Sequence, residues 1–279
     1  MCDVQLNLNQ ASGLTTSSYL GMKDMTETLI SIPSARPSEG RQAWGSRVIK
    51  SLAHCVGRKY VTEMRRREWE QQKLFRINER AVEFSFALRT INQLTVTTVL
   101  DVGSGGSPFP ATLAYCGYLV TAMDNVRDYW PQGMYNHHFH VLDDDIRHPS
   151  INRRFDAITC ISVLEHIPEF LDVARGFASL LKSDGYLILT CPYNEQRYCS
   201  DVYRAPESSY GKNNPYICQS YSRAELDSIV RTFQGRILIQ DYWKVFSGEL
   251  WAFGRRLESP QQSSKENPHQ LTCLLIQKT

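Results

Sequence analysis

The sequence predicts an α/β fold built on a parallel β-sheet. From residue 97 onward, short apolar runs alternate with segments whose apolar residues recur at helical spacing. A parallel sheet needs this alternation, because crossover helices join its parallel strands. The first run leads into a glycine-rich turn at 103–108, where the backbone can approach a ligand closely. The expected strands lie near residues 97–102, 118–123, 139–143, 155–161, 186–191, 236–242 and 271–278.

Signals for helix ends agree with this order of elements. Residues 107–108 (Ser-Pro) suit the start of a helix, and Gly117 follows its expected end. Pro168 opens a second apolar-periodic segment. Residues 222–225 (Ser-Arg-Ala-Glu) form a capping-box sequence, and Gly235 ends the helix that follows.

Amino-acid composition and the spacing of apolar residues divide the chain into three regions. Residues 1–40 are rich in Ser, Thr, Asn and Gln and predict a poorly ordered N-terminal arm. Residues 41–96 show helical spacing and predict an N-terminal helical cap of two or three helices. Residues 97–279 form the α/β domain. Within it, the stretch 193–221 is too long for an ordinary connection and predicts a lid or substrate loop.

Composition and charge exclude several classes of protein. The 279 residues are 42% hydrophobic and 22% charged, which excludes collagen, coiled coil and wholesale disorder. The 31 basic and 29 acidic side chains give a net charge of +2, so no global field attracts nucleic acid or anionic lipid. A charged stretch at 58–80 is either a solvated helix face or a local patch for a polyanion.

Cysteines and hydropathy indicate the compartment. The eight cysteines lack CxxC pairs and regular spacing, so we interpret them as free thiols. No apolar run approaches the length of a membrane span, and the first residues lack the pattern of a secretory signal. We therefore expect a cytoplasmic protein.

The ends of the first two strands carry the strongest chemical signal. Asp124 follows Gly103 by twenty-one residues and ends the second strand, where a carboxylate can accept both hydroxyls of a ribose. Pro108 replaces the third glycine of the dinucleotide-binding pattern, and Asp101 precedes the turn. These two residues argue against NAD and leave another adenosine-containing cofactor.

Five segments, in this order and spacing, resemble the class I S-adenosylmethionine-dependent methyltransferases. The resemblance is strong over 97–194 and weak over 195–279. It implies a Rossmann-like, seven-stranded, mostly parallel sheet with an antiparallel last strand, flanked by helices. It also implies S-adenosyl-L-methionine as cofactor and S-adenosyl-L-homocysteine as product. The segments are VLDVGSGGSP (99–108), Asp124, Asp145-Ile146, FDAITCISVLEHI (155–167) and LKSDGYLILTCPYN (181–194).

The resemblance also implies a set of cofactor-binding residues. The glycine turn would pass beneath the methionyl part of the cofactor, with Asp101 near its ammonium group. Asp124 would hold the ribose and Asp145 the adenine amino group, although Asp143 and Asp144 blur that register. An arginine from the helix before the first strand would pair with the cofactor carboxylate. The implied residues are Arg80, Asp101, Gly103, Ser104, Gly105, Asp124, Asn125, Asp145, Ile146, Ile161 and Ser162.

Two residues at strand ends are candidates for catalysis. Methyl transfer from a sulfonium is an in-line displacement with a good leaving group, so a base matters only for a poorly acidic acceptor. His166 is the best candidate for that base, although a structural role at the start of the next helix is an equal alternative. Tyr193 and its neighbour Asn194 follow the fifth strand and are expected on the acceptor side or in the lid.

A metal site is disfavoured. His137, His138 and His140 precede Asp143–Asp145, which are residue types that bind metals. Metal-dependent catechol-type methyltransferases would need carboxylates where this chain has residues 161–165 (Ile-Ser-Val-Leu-Glu). We therefore expect ordinary strand and turn residues and no metal.

The acceptor is expected to be a small molecule or a glycan. Residues 162–165 lack the Asn/Asp-Pro-Pro-aromatic tetrad typical of nucleic-acid amine methylation, and no RNA-binding module is present. Aromatic side chains at 130, 203, 210, 216 and 221 could stack on a ring. LEHI, LTCPYN and 219–226 resemble enzymes that modify sugars, glycolipids and natural products.

Three hypotheses therefore stand. The first is O-methylation of a small molecule or glycan, and the second is methylation of RNA or protein through the basic helices. The third is a cofactor-binding interaction protein without activity. The sequence predicts no membrane span and gives no oligomeric state.

Overall fold

The computed structural model describes residues 42–71, 77–130 and 136–279. The predicted N-terminal arm, 1–40, lies outside them. The chain divides into two compact units, 1–63 and 64–279. In the first, the described residues belong to helix α1 (Gln42–Gln71), where Ile49, Leu52 and Val56 are exposed. No helix among the described residues is both long and apolar enough to cross a membrane.

The second unit contains an eight-stranded sheet in the order β3-β2-β1-β4-β5-β8-β6-β7. The strands β1 to β5 pair in parallel, and β8 lies antiparallel between β5 and β6. This is the predicted mostly parallel sheet with an antiparallel last strand. The strands are β1 Thr98–Val102, β2 Leu119–Asp124, β3 Val141–Asp143, β4 Phe155–Ile161, β5 Leu181–Pro192, β6 Gly235–Phe246, β7 Arg256–Ser263 and β8 Leu271–Lys278.

Strand β7 is the one strand that the sequence pattern did not predict. It contains Pro260 and several polar residues. The strand lies at the edge of the sheet and pairs with β6 alone. An edge strand needs neither an apolar face nor a complete set of N–H donors, so its sequence shows little strand pattern.

Helices cover both faces of the sheet. The helices of this unit are α2 Arg80–Ile91, α3 Phe109–Tyr115, α4 Val126–Tyr129, α5 Phe170–Leu180 and α6 Arg223–Phe233. Successive strand residues point to opposite faces, so Val99 packs with the residues of α2 and α3, and Leu100 with those of α5 and α6.

The helix boundaries follow the sequence signals closely. Ser222 caps α6 with a complete capping box, and Gln234 ends it in the left-handed conformation one residue before Gly235. Helix α5 begins at Phe170, two residues after Pro168. A short 3-10 helix at Leu164–His166 fills the space between β4 and α5.

The stretch 193–221 is a packed loop. Val202, Tyr203 and Cys218 are buried against Phe246 and Trp251. Short bridges pair residue 193 with 221 and residue 199 with 220. The loop therefore has a core of its own on the β6 side of the sheet.

Candidate functional site

A cavity of about 660 Å³ opens at the carboxyl ends of β1, β2 and β4. The chain order of the sheet reverses at this point, because β1 lies between β2 and β4, and open α/β sheets bind ligands at such a reversal. The volume lies in the usual range for a cofactor or small-molecule site. All the residues that the resemblance assigned to the cofactor line it: Arg80, Asp101, Gly103, Ser104, Gly105, Asp124, Asn125, Asp145, Ile146, Ile161 and Ser162.

The turn after β1 needs glycine for two separate reasons. Gly103 has a φ of +72°, and Gly105 has a φ of +48°, in the region that side chains disfavour. A Cβ atom at Gly103 would lie 2.3 Å from Cγ1 of Val163. The N–H of Gly103 donates to the carbonyl of Met123 at 2.8 Å, which ties the turn to β2. The turn therefore packs tightly against Val163 and brings the backbone of Gly103 and Gly105 to the cavity lining.

Asp101 is a buried carboxylate at the end of β1. Ser104 Oγ donates to one of its oxygens at 2.6 Å, and Thr159 Oγ1 donates to the other at 2.7 Å. Burial raises the pKa of Asp101 to about 6, against these two hydrogen bonds, which lower it. A cation arriving beside Asp101 would remove much of the cost of burying its charge.

Asp124 is held by the glycine turn that it faces. The N–H of Gly105 donates to Asp124 Oδ2 at 2.8 Å, and Trp130 Nε1 lies 3.3 Å from Oδ1. Burial raises the pKa of Asp124, while these donors lower it. A carboxylate has about four acceptor positions. Asp124 therefore keeps acceptor capacity for a ligand donor such as a hydroxyl.

The three consecutive aspartates after β3 have different partners. Asp143 accepts from the N–H groups of residues 126 and 127, and Asp144 accepts from those of residues 145, 150 and 151. Asp145 instead binds Arg147 side on and accepts from Asn125 Nδ2 at 3.2 Å. Burial alone would raise the pKa of Asp145, but the hydrogen bonds of Arg147 lower it. Asp144 and Asp145 both line the cavity, and Asp145 is the one joined to Asn125.

Arg80, on the first turn of α2, is the lining residue that the resemblance pairs with the cofactor carboxylate. Its Nη1 donates to Glu83 at 2.7 Å and lies 3.4 Å from the carbonyl of Ile161. Glu83 is fully buried, and sequence analysis did not identify it. The spacing of three residues from Arg80 on one helix face was the only signal available.

His166 lines the cavity and carries a defined tautomer. Its Nδ1 lies 2.7 Å from the carbonyl oxygen of Ile217, and its ring packs edge-on against Tyr216. A carbonyl can only accept, so Nδ1 holds the proton and the neutral ring has its lone pair on Nε2. Burial lowers the pKa of His166, so the neutral form dominates at pH 7. A neutral imidazole with a free lone pair can act as a base.

The residue before it, Glu165, is buried beside the same turn. Its Oε2 has no hydrogen-bond partner, and burial, reinforced by the charge of Glu83, raises the pKa of Glu165 to about 8. Glu165 does not line the cavity. Its Oε1 lies 4.0 Å from Nε2 of His166, so this carboxyl borders the candidate base without lining the cavity.

The loop 193–221 meets the cavity at one point. Pro215 and Tyr216 line the cavity, as does Trp130 on the other side. Of the other aromatic residues that were expected to stack on a ring, Tyr203 and Tyr221 are buried, and Tyr210 is outside the lining. The aromatic rings that line the cavity are those of Phe84, Phe109, Tyr129, Trp130 and Tyr216.

Tyr193, which the sequence predicts as a catalytic residue, does not line the cavity. The ring is fully buried and stacks on His269, and its hydroxyl donates to Glu195 at 2.7 Å. The neighbouring Asn194 caps the backbone of 196 and 197. Both side chains support the loop. They follow β5, which lies between β4 and β8 in the sheet, so they are one strand away from the cavity at the ends of β1, β2 and β4.

The histidine-rich stretch before β3 lies outside this cavity. His137, His138 and His140 border a separate surface depression with Asp143. Within 42–71, 77–130 and 136–279, no group of three or more His, Cys, Asp or Glu side chains is arranged to hold a metal ion.

Parts of this chain are similar in sequence to known proteins. A ubiquinone biosynthesis O-methyltransferase of Haemophilus ducreyi is 32% identical over 120 residues, 39% of this chain and 51% of that protein. One of Xanthomonas campestris pv. campestris is 37% identical over 103 residues, 33% of this chain and 41% of that protein. The chain thus spans about half the length, or less, of these curated relatives.

Solved structures are similar at lower identity. Burkholderia thailandensis 1,6-didemethyltoxoflavin-N1-methyltransferase matches with a TM-score of 0.47 and 14% identity, over 82% of this chain and 90% of that one. An S-adenosylmethionine-dependent methyltransferase from Clostridium acetobutylicum matches with a TM-score of 0.45 and 14% identity, over 72% and 92%.

The match to a family model is more extensive. The model described as a methyltransferase domain covers residues 65–237, from the end of α1 to the start of β6. This range contains every residue that lines the cavity. The chain belongs to the methyltransferase domain family.

Proposed function

We propose that this chain is an S-adenosyl-L-methionine-dependent methyltransferase that acts on a hydroxyl oxygen of a small-molecule or glycan acceptor. The observation that carries the proposal is the convergence of the glycine-rich turn, Asp101 and Asp124 at the reversal point of the sheet. The names of the curated relatives support O-methylation of a small molecule.

The residues present fit this cofactor. The floor at Gly103 has no room for a Cβ atom, and the cavity has carboxylates at 101, 124 and 145 with a cation at Arg80. Asp101 and Arg80 carry the charges that complement an ammonium and a carboxylate group. Asp124 accepts from hydroxyls, and Asp145 from an amino group. S-Adenosyl-L-methionine, when bound, supplies an activated methyl group, and S-adenosyl-L-homocysteine remains as product.

The acceptor would lie on the side of the cavity formed by Phe84, His166 and Tyr216. Phe84 stacks on Phe109 at a centroid distance of 4.7 Å, which gives that side a rigid aromatic wall. His166 Nε2 is the group that would accept the hydroxyl proton. The wall and the single base favour a hydroxylated ring over a long polar chain.

Pro215 and Tyr216 would cover the acceptor, which is the lid role expected of the loop 193–221. The loop is hydrogen-bonded to the turn after β4, since Gln219 donates to the carbonyls of Glu165 and Ile167, and Tyr221 donates to that of Leu164. A cover attached in this way would exclude water with little movement.

Calorimetric titration with S-adenosyl-L-methionine and S-adenosyl-L-homocysteine tests the cofactor first. Wild type is expected to bind both, and Asp124→Ala and Gly103→Val are expected to lose binding. Arg89→Gln, which removes an exposed ion pair of α2 with Asp241, is the matched control that should bind normally. A folded wild type that binds neither ligand would overturn the proposal.

Turnover then separates the remaining hypotheses. Transfer of a labelled methyl group to catechols, flavonoids and free sugars is expected, with none to total RNA or to protein. Methylation of RNA with a steep salt dependence would favour the second hypothesis, because phosphate contacts release counterions. Cofactor binding without turnover on any acceptor would favour the non-catalytic one.

A further inference from the structure

Glu83 is a fully buried carboxylate on the inward face of α2, beside the cavity. It does not line the cavity, yet three side chains converge on it. Arg80 Nη1 donates to Oε2 at 2.7 Å, while Ser162 Oγ and Thr190 Oγ1 donate to Oε1 at 2.5 and 2.7 Å. A buried carboxylate requires such compensation, and Glu83 has a hydrogen bond on each oxygen and a cation beside it.

Two of these three donors belong to the cavity wall. Arg80 and Ser162 line the cavity, whereas Thr190 lies in β5 behind it. Ser162 has a φ of +50°, which is unfavourable for a residue with a side chain. Its N–H donates to the carbonyl of Thr190 at 3.1 Å, and its hydroxyl is held by Glu83. Glu83 therefore joins α2, the end of β4 and β5 at one point.

The contact with Glu83 leaves most of the Arg80 guanidinium available. A guanidinium has five N–H donors, and Arg80 directs only Nη1 to Glu83 and to the carbonyl of Ile161. The Arg80 side chain remains 40% exposed, although its partner Glu83 is completely buried. One nitrogen is thus anchored, and Arg80 is among the residues that line the cavity.

Asp101 brings the opposite charge to the same region. Both groups line the cavity, and although burial, the largest influence, raises the pKa of Asp101, the positive charge of Arg80 lowers it. A cation and an anion that line one cavity form a matched pair for a zwitterion. An α-amino acid group, with its ammonium and carboxylate on one carbon, is such a zwitterion.

We infer that Glu83 is a positioning residue that holds Arg80 and Ser162 for the amino acid end of the cofactor. This inference rests on the proposed function. An arginine fixed at one nitrogen loses less side-chain entropy when it binds a carboxylate than a free one does. Glu83 therefore contributes to affinity only for ligands that carry the amino acid group, and not for the nucleoside part alone.

The test compares two ligands that differ in that group. S-Adenosyl-L-homocysteine has the amino acid end, and 5′-methylthioadenosine lacks it but keeps the adenosine and the sulfur. With Glu83→Gln, the Kd for S-adenosyl-L-homocysteine is expected to rise at least about tenfold, while that for 5′-methylthioadenosine changes less than about twofold. The readout is calorimetric binding, so no acceptor is required.

Two further variants make the comparison decisive. Thr190→Val removes a donor to Glu83 together with the hydroxyl that accepts from the Ser162 N–H at 3.0 Å, so it loosens both groups that Glu83 holds at β5. It is expected to give the same selective loss at smaller size, which covers the case that Glu83→Gln does not fold. Arg89→Gln, on the same helix but paired with Asp241, should change neither Kd. An equal loss for both ligands, no loss, or tighter binding of S-adenosyl-L-homocysteine in Glu83→Gln and Thr190→Val would overturn the inference. A wild type that binds neither ligand would instead overturn the proposed function, and this inference with it.

Discussion

The Nδ1 atom of His166 lies 2.7 Å from the carbonyl oxygen of Ile217. This contact connects the turn after β4 with the loop 193–221, and it decides which ring nitrogen can accept a proton. Because Nδ1 donates to a carbonyl, Nε2 is the basic atom of the neutral ring. Tyr216, which belongs to the same loop, packs against the His166 ring and lines the cavity. The loop thus orients the candidate base as well as covering it.

His166→Asn is expected to lower kcat by about 10²- to 10⁴-fold, the usual contribution of a positioned base. The asparagine amide can take the place of Nδ1 and donate to Ile217, so the loop contact survives while Nε2 is lost. Affinity for S-adenosyl-L-homocysteine should stay within about twofold, because the contact with the cofactor is not altered. His140→Gln, outside the cavity, is the control. An unchanged kcat in His166→Asn would contradict the assignment.

The pH dependence of wild type follows from the same environment. Burial lowers the pKa of His166 below its usual 6.5. The neutral, proton-accepting form therefore predominates at pH 7, and kcat should rise with pH through a value below 6.5 and then level off. The rise should be absent from His166→Asn. A rise centred well above pH 7 would point to another base.

Asp101→Asn is expected to stabilise the protein without cofactor. Burial raises the pKa of Asp101 from 3.8 to about 6, so the folded chain holds this proton more tightly than the unfolded chain does. Stability from this group is complete below about pH 4, falls as pH rises towards 6, and above that is reduced by about 3 kcal/mol. The neutral asparagine removes this loss, so urea unfolding should show a gain of up to about 3 kcal/mol at pH 7.5 and little change at pH 4.

The same substitution should weaken binding of S-adenosyl-L-methionine, because no anion remains for its ammonium group. Asp156→Asn is a control of opposite sign. Burial alone would raise the pKa of Asp156, but hydrogen bonds from Lys182 and Thr98 hold it well below the usual value. Loss of that charge should destabilise the fold at pH 7.5 and leave cofactor binding unchanged. Destabilisation of Asp101→Asn at pH 7.5 would contradict the prediction.

Gly103→Ala should destabilise the fold through two separable costs. A side chain at a φ of +72° costs about 1–2 kcal/mol, and the contact with the methyl groups of Val163 adds about 1–3 kcal/mol. Gly117→Ala is a matched control, since Gly117 has a φ of +97° and nothing lies within 4 Å of its Cβ position. Only the first cost should appear there.

The steric part can be isolated with Val163→Ala. The double variant Gly103→Ala/Val163→Ala should be more stable than the sum of the single effects by about 1–3 kcal/mol, because the second change removes the two nearest atoms in collision and leaves only Val163 Cβ, at 2.9 Å. Urea unfolding of the four proteins measures this coupling. Additive effects would show that the turn moves away from Val163 instead.

Local signals made the cofactor half of the site predictable. Asp101, Gly103 and Asp124 lie at strand ends. There the local sequence pattern predicts both the strand and the sheet edge at which it ends. Glu83 could not be found in this way, since its partners Ser162 and Thr190 are 79 and 107 residues away in the sequence. Strand β7 was missed because an edge strand shows no apolar alternation.

The loop 193–221 shows a different limit. Its length correctly indicated a special connection, but its aromatic residues serve mainly to build a core against β6. Pattern along the chain does not say which tyrosines face a cavity and which face the loop interior. The direction of the side chains that follow β5 depends on its neighbouring strand. That neighbour is β8, which lies about eighty residues later in the sequence and cannot be recognised from the loop itself.

Tyr193→Phe tests whether the Tyr193 hydroxyl stabilises the loop or takes part in catalysis. The hydroxyl donates to Glu195, which also accepts from Arg223 and pairs with Lys265. Its loss should lower the free energy of unfolding by about 1 kcal/mol, since Glu195 keeps other partners. Activity should stay within about twofold, because the hydroxyl is directed away from the cavity lining. Tyr115→Phe, at an exposed ring, is the control for removal of a phenol. A large fall in kcat with unchanged stability would return Tyr193 to the catalytic machinery.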